Sequence, residues 1–345
     1  MGSRLAAMDP AVLSLLACPK DGRDLTFDGS RLTCPAGHHY PVFHGVPFLV
    51  RDDVPHAHWA ADVAVDVARS GRVPAEWLVP ASPDPAVIDG YVQQAISATN
   101  GNLYLHLRGR LPRYPIPRFP MVPATPGARI VELGCGWGRW SLAAARAGFI
   151  ALGTDPYPAS VFAARRVARQ LGIAAQFVVA DARHLPFRAG ALDAAFSFSV
   201  LQHLDDEAIG ATARGLGRVL APGGEALLQF AGRYGPLAVV RMAGRGFRQA
   251  RAFEVRYRDP AALRALFADA IGPTTVEAEG FLSLNARVDD LDLMRPSGAA
   301  IVRLSAAGCA AARRWPALAR VADSVWIRSC ARGLRQEPSG HDGSG

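Results

Sequence analysis

The chain has 345 residues, half of them apolar, enough to bury one large core and leave room for a small second module. No apolar run reaches the roughly 18 uncharged residues of a membrane span, and the first residues lack a basic, apolar, cleavable pattern, so a soluble cytoplasmic protein is expected. The five cysteines are scattered and odd in number, which argues against a disulfide framework, and Lys20 is the single lysine behind a net charge of +8 that is otherwise arginine.

Residues 1–50 read as a module of their own. Cys18-Pro19-Lys20-Asp21 and Cys34-Pro35-Ala36-Gly37-His38 flank a hairpin that turns at Asp28-Gly29. Two knuckles, each offering ligand-type side chains at x2 or x3 spacing, suit a tetrahedral metal site, which would replace the core so short a segment cannot build. Cys18, Asp21, Cys34 and His38 are the candidate ligands. Asp21 stands where a cysteine is usual, and His39 or His44 could serve in its place. With Tyr40-Pro41-Val42 and Gly45-Val46-Pro47-Phe48-Leu49-Val50 behind it, the segment resembles the small zinc-ribbon proteins that activate tRNA and rRNA methyltransferases. It also resembles the ribbon carried in front of bacterial 23S rRNA guanine methyltransferases. The resemblance implies zinc; the competing reading is a ribbon kept for packing without metal.

Residues 51–125 read as a helical, proline-rich connector and arm rather than a second core. Helical patterns at 62–69 and 86–99 are separated by the breaker cluster at 80–85, and Asn100 to Tyr104 leads toward the stiff Arg113-Tyr114-Pro115-Ile116-Pro117.

Residues 126–335 carry the densest signals. An apolar run ends in Glu132, then Gly134, Gly136 and Gly138 follow at alternate positions before an alanine-rich helical stretch. Glycines let backbone take unusual dihedrals and approach a ligand closely, and the helix start offers unpaired N–H groups. A second apolar strand ends in Asp155, about 20 residues on, the distance at which a nucleoside-binding βαβ unit places its ribose-holding acid. Further strands end at Asp181 and at Val200, the latter through LDAAFSFSV, and the run RVLAPGGE precedes a strand at 226–230.

The spacing E-x-G-x-G-x-G and the three later segments, in this order, resemble class I S-adenosylmethionine-dependent methyltransferases of the type 11-like group over about residues 126–232. The fold class this implies is α/β, a Rossmann-like seven-stranded sheet, here with a small zinc-ribbon-like β module and a helical connector in front. The cofactor implied is S-adenosylmethionine. Asp155 would accept both ribose hydroxyls, Asp181 the adenine amine with the Ala182 backbone beside it, and Glu132 the cofactor's ammonium group, with Gly134, Gly136 and Gly138 against the methionine part. Ser197 lies in the strand beside the methyl group, and Tyr104 is a candidate contact to the cofactor's carboxylate end or an aromatic packing the arm down. Methyl transfer is an in-line displacement that asks mainly for positioning; a base is needed only for a protonated acceptor. His203 is the candidate base, with a helix-packing role as its alternative, and Gln202 a candidate for orienting substrate. Trp137 and Arg139 read as either lid or packing, and Trp140 as packing. The Asp/Asn-Pro-Pro-aromatic signature of adenine and cytosine amino methylation is absent; Ser197-Phe198-Ser199 stands there.

Beyond residue 232 the charge is uneven, with 17 arginines against nine carboxylates in 233–335 while Met1 to Gly232 is near neutral. Arg241, Arg245 and Arg248 suggest a basic amphipathic helix over 235–251, suited to RNA, lipid head groups, a substrate pocket or solvent. A helix capped by Asp259-Pro260, strands at 274–284 and 324–328, an exposed acidic loop at Asp289-Asp290-Leu291-Asp292, a helix at 299–314 and a disordered tail at 336–345 complete the reading. The expected activity is O- or C-methylation of a small, lipid-linked or sugar-linked acceptor. RNA base methylation is the alternative, favoured by the ribbon and the basic C-terminal third, and a non-catalytic cofactor-binding partner the second alternative.

Overall fold

Eleven strands join into one mixed sheet, described here from a computed structural model over residues 9–56, 58–282, 285 and 287–333. The N-terminal part contributes helix α1 (Pro10–Leu13) and strands β1 (Thr26–Phe27), β2 (Arg31–Thr33), β3 (His39–Phe43) and β4 (Val46–Leu49). Helices α2 (Trp59–Ser70) and α3 (Gly90–Asn100) follow in the connector. Then come β5 (Arg129–Leu133), α4 (Arg139–Arg146), β6 (Ile150–Asp155), α5 (Pro158–Gln170), β7 (Ala175–Ala180), β8 (Leu192–Ser197), α6 (Asp206–Val219) and β9 (Leu220–Ala231). Helices α7 (Pro236–Gly244) and α8 (Pro260–Ala270), strand β10 (Thr274–Gly280), helix α9 (Pro296–Arg314) and strand β11 (Ser324–Cys330) complete the chain.

The strand order is β1-β2-β3-β4-β7-β6-β5-β8-β9-β11-β10. Strands β7, β6, β5, β8 and β9 are parallel, and β11 and β10 close that edge antiparallel. The order reverses at β5, between β6 and β8, and an open α/β sheet binds ligands at the carboxyl ends beside such a switch point. The glycine turn follows β5, so it opens into that crevice.

The expected seven strands are thus part of a larger sheet. Strand β4 pairs in parallel with β7, matching Phe48 to Val179 and Leu49 to Ala180, so the N-terminal module extends the main sheet instead of standing beside it. Phe48 and Leu49 are fully buried, and each such side chain contributes roughly 1.5–3 kcal/mol. A backbone bridge from Leu16 to Phe187 and a shared core of Leu16, Leu32, Tyr40 and Phe187 tie the two parts further.

The connector, too, departs from expectation. Its Val65, Ile88, Val92 and Ile96 pack with Phe48, Trp137, Leu142 and Phe162 into a continuous apolar cluster, so α2 and α3 form a core layer over α4 and α5. Arg166 of α5 holds Asp89 at 2.7 Å, and Asp89 also caps α3 by accepting from the Tyr91 amide. The basic helix is shorter than predicted: α7 ends at Gly244, leaving Arg245 and Arg248 in the loop that follows. Asp259 caps α8 as expected, accepting from the Ala261 amide. The acidic stretch is a 3₁₀ turn over Val288–Leu293 in which Asp289 and Asp292 are exposed as expected but Asp290 is not. Asp290 is fully buried, paired with Arg139 at 2.6 Å and with the Tyr104 hydroxyl. The tail at 336–345 lies outside the described residues.

Candidate active site

The turn after β5 is built by its glycines. Gly134, Gly136 and Gly138 all have positive φ, at 72°, 51° and 87°, where a Cβ is strained. A Cβ on Gly134 would stand 2.4 Å from a Val200 methyl, so the turn and the loop after β8 touch because nothing larger is there. The Gly134 and Cys135 amides both donate to the Thr154 carbonyl, and the Gly136 amide donates to Asp155 Oδ2 at 2.9 Å. Asp155 Oδ1 accepts from the Tyr157 amide at 2.8 Å. Burial pushes the Asp155 carboxyl up to about 6, against the pull of those two amides. Each oxygen keeps a second lone pair, which is what a vicinal diol requires of a carboxylate.

Asp181 sits at the end of β7 with both oxygens held by Arg183, at 2.6 Å from Nη2 to Oδ2 and 3.1 Å from Nε to Oδ1. Arg183 also donates to the Pro55 carbonyl, and half-buried Ala182 lies in the same turn. This clamp on Asp181 was not foreseen, since it depends on where residues 51–56 cross the sheet. Ser197 is buried and donates to the Leu133 carbonyl at 3.0 Å, stitching β8 to β5.

Two expected cofactor contacts are turned elsewhere. Glu132 does not face the mouth of the turn; its carboxylate accepts from Ser141 Oγ at 2.5 Å, and with Ile130, Trp140, Ser141 and Phe196 it lines a closed gap between β5 and α4. Burial raises this carboxyl to about 8. Tyr104 is fully buried, its hydroxyl spent on Asp290 at 2.5 Å, with the Arg139 guanidinium over its ring. Trp137, Arg139 and Trp140 are likewise packed inside: Trp137 lies against Tyr114, and Trp140 against Phe196 and Phe198.

The arm still reaches the turn, through residues just before Tyr104. The Thr99 methyl lies 3.6 Å from where a Gly136 Cβ would be, and Asn100 is buried beside it. Asn100 Nδ2, Trp137 Nε1 and Gln202 Oε1 are buried with no hydrogen-bond partner among the described residues. Buried polar atoms are rarely left unpaired without cause. Around a glycine cradle these orphans fit a site made for a polar ligand such as S-adenosylmethionine. Asn100 gave no signal in sequence, because an asparagine ending a helix reads as a cap.

At the other side of the crevice, Ser199 has a φ of 62°, a strained conformation for a non-glycine residue, held by its amide donating to Gln229 Oε1. Gln202 Nε2 donates to Ser199 Oγ. His203 follows in a short 3₁₀ turn over Leu201–His203. Its Nδ1–H donates to the Phe253 carbonyl at 2.7 Å, which leaves Nε2 as the proton-accepting nitrogen. Burial lowers its pKa to about 4, so the ring is neutral at ordinary pH. Phe253 stacks on His203 at 3.9 Å, His58 lies on Phe253, and Trp59 packs between His58 and Tyr157. An aromatic row therefore runs from the end of β6 to the end of β8.

In the N-terminal module, Cys18, Asp21, Cys34 and His38 place their ligand atoms within 4.8 Å of one another. His38 Nδ1 lies 3.4 Å from Cys18 Sγ, 3.2 Å from Cys34 Sγ and 3.4 Å from Asp21 Oδ2, and Cys34 Sγ lies 3.7 Å from Asp21 Oδ2. Ligands on one tetrahedral zinc lie roughly 3.3–3.8 Å apart, from bond lengths of about 2.0–2.3 Å. The two thiols, imidazole and carboxylate thus fit a zinc ion in kind and spacing. His39 instead meets the Thr33 hydroxyl.

Among known proteins, the family described as "Methyltransferase domain" matches residues 130–224. A ubiquinone biosynthesis O-methyltransferase of Methylocella silvestris is 28% identical over 164 residues, covering 46% of this chain and 60% of its own length. The chain therefore spans less than two thirds of that relative. Similar solved structures include the complex of the Haloferax volcanii Trm112 methyltransferase activator with a putative methyltransferase. It is 19% identical at a TM-score of 0.44, covering 72% of this chain and 96% of that one. Phosphoethanolamine N-methyltransferase 2 of Haemonchus contortus, bound to phosphomonomethylethanolamine and S-adenosylhomocysteine, is 16% identical at a TM-score of 0.44, covering 71% and 58%. The matched residues 130–224 include the glycine turn, Asp155 and Asp181, so over this stretch the chain is similar to methyltransferase domains.

Proposed function

We propose that this chain methylates a hydroxyl or an acidic carbon of a small-molecule acceptor, lipid-linked or sugar-linked acceptors included, with His203 as the base. The observation that carries the reading is the tautomer of His203. With Nδ1–H given to the Phe253 carbonyl, Nε2, 3.5 Å from Gln202 Nε2, is the nitrogen left to take a proton. Burial keeps the ring unprotonated at physiological pH but weakens it as a base, so the proton moves in concert with methyl transfer. A relative that is an O-methyltransferase points the same way.

Asp155 would hold the ribose hydroxyls, Asp181 and the Ala182 backbone the adenine edge, and Gly134, Gly136 and Gly138 the methionine part, with Ser197 flooring the crevice and Asn100 at the carboxylate end. When bound, S-adenosylmethionine supplies a sulfonium methyl group open to in-line attack. The chain's own task is to align the acceptor beside Gln202 and His203, to remove its proton and to exclude water with the aromatic row. The N-terminal ribbon would hold zinc through Cys18, Asp21, Cys34 and His38 as a structural site, since all four positions are taken by protein.

Transfer of labelled methyl from S-adenosylmethionine to a panel of phenolic, polyol and prenylated acceptors tests the reading, with RNA in parallel. The expected result is labelling of a small acceptor that falls on the order of a hundredfold in His203→Gln while cofactor affinity holds. Labelling of RNA alone, or an unchanged rate in His203→Gln, would overturn it.

A further inference from the structure

The stretch between β9 and α8 adds a surface that the catalytic frame does not need. Helix α7 turns Ala238 and Met242 inward against Ala231 and Tyr257, which leaves Val239, Val240 and Ala243 facing out. Val240 is 68% exposed. Just past the helix, Phe247 is 69% exposed at a φ of 54°, so the backbone is held in an unfavourable region while it presents an aromatic ring to water. Exposed large apolar side chains are ordinary when scattered; clustered on one short segment they mark a contact surface.

The charge around this patch is one-sided. Residues 233–256 hold six arginines and one acid, Glu254. That acid is already held by Arg248 at 2.7 Å and lies 4.0 Å from Arg245. Arg233, Arg241 and Arg251 are exposed and form no ion pair among the described residues. A segment that exposes Val239, Val240 and Phe247 among arginines without acidic partners matches an anionic bilayer, where valine and phenylalanine enter the acyl boundary and arginines stay at the phosphates. RNA would satisfy the arginines but offers the aliphatic Val239 and Val240 little to pack on, since its recognition rests on stacking and polar edges.

We infer that residues 236–251 form a docking surface for a membrane rich in anionic lipid. Phe253, two residues further on, stacks on His203, so the docked face adjoins the crevice and a lipid-linked acceptor would enter from the bilayer. That last consequence rests on the function proposed above; the docking does not.

Sedimentation of the full chain with vesicles tests it without any acceptor. Binding is expected to equimolar phosphatidylcholine and phosphatidylglycerol, weakening with salt, and little to phosphatidylcholine alone. Val240→Asp with Phe247→Asp should lower the partition on the order of tenfold while the thermal melt is kept, both sites being exposed. Binding that ignores lipid charge, or that survives the double substitution, would overturn the inference. So would capture by mixed-sequence RNA with the vesicles left bare. Methyl transfer that fails while vesicle binding holds would count against the proposed function alone.

Discussion

Glu132→Gln should flatten the dependence of stability on pH. Glu132 is 4% exposed, and burial between β5 and α4 lifts its carboxyl from 4.5 to about 8. Between those values the folded chain keeps a proton that the unfolded chain has released. Stability from the neutral carboxyl is therefore complete below pH 4.5 and drains away as pH rises toward about 8. At about 1.4 kcal/mol per pH unit the whole interval is worth at most roughly 5 kcal/mol. Relaxation and water entry reduce it, so a loss of roughly 2–4 kcal/mol is expected across the interval. Glutamine keeps an oxygen for Ser141 but has no proton to lose. Asp155 drifts in the same direction, though only between 3.8 and about 6, so the diagnostic range lies above that. Urea unfolding of both proteins, from about pH 6 to about pH 8, reads the difference. Parallel stability curves would refute the burial argument and return Glu132 to the solvated mouth of the turn.

Other perturbations bear on the crevice and the ribbon. Gly134→Ala would set a methyl 2.4 Å from Val200 at a φ of 72°, and the expected loss is roughly 2–4 kcal/mol by thermal melt. Adding Val200→Ala should recover the steric part and leave about 1–2 kcal/mol of backbone strain; an identical loss in both backgrounds would remove the contact from the explanation. Asp155→Ala should weaken S-adenosylmethionine on the order of tenfold or more in calorimetric titration, and unchanged affinity would take Asp155 out of the site. In the unaltered chain, affinity should also fall below about pH 6, where the carboxyl takes up its proton. Cys34→Ser should abolish zinc in metal analysis and lower the melting temperature of the whole chain, because β4 is a strand of the main sheet. A metal-free protein with an unchanged melt would leave the ribbon as packing.

What sequence could reveal was whatever the backbone demands locally. The glycine turn was legible because positive φ at three alternate positions admits little else, and the acids because strand ends are bounded by turn residues. The knuckle spacing placed Cys18, Asp21, Cys34 and His38 in two pairs, and the structure brings the pairs together. Less was legible where partners are distant. Asp290 looked solvated because nothing near it announces Arg139 and Tyr104, which lie 151 and 186 residues away along the chain. The direction of Glu132 was hidden for another reason: β5 is buried on both faces from Ile130 to Leu133, so alternation carries no sign of which side faces the crevice. Arg245 and Arg248 kept helical spacing past Gly244, but Gly244 and Gly246 end the helix before the pattern does.

The attachment of the N-terminal module explains why the connector lies where it does. Once β4 has paired with β7, the chain must leave Val50 at the carboxyl edge of the sheet, beside Asp181. It then crosses that edge in a few residues: Pro55 accepts from Arg183 at the end of β7, Trp59 meets Tyr157 beyond β6, and His58 meets Phe253, which lies on His203 beyond β8. One short segment thus touches groups at the ends of three parallel strands around the switch point. Its anchorage is β4 on one side and α2 on the other. A metal that stiffens the ribbon would on this geometry also steady the roof of the crevice, so chelation should raise the off-rate of S-adenosylmethionine before it unfolds the domain. Stopped-flow displacement of bound cofactor, with and without chelator at a temperature well below the melt, measures this. Equal off-rates in a protein shown to have lost its zinc would confine the ribbon to holding up the sheet edge.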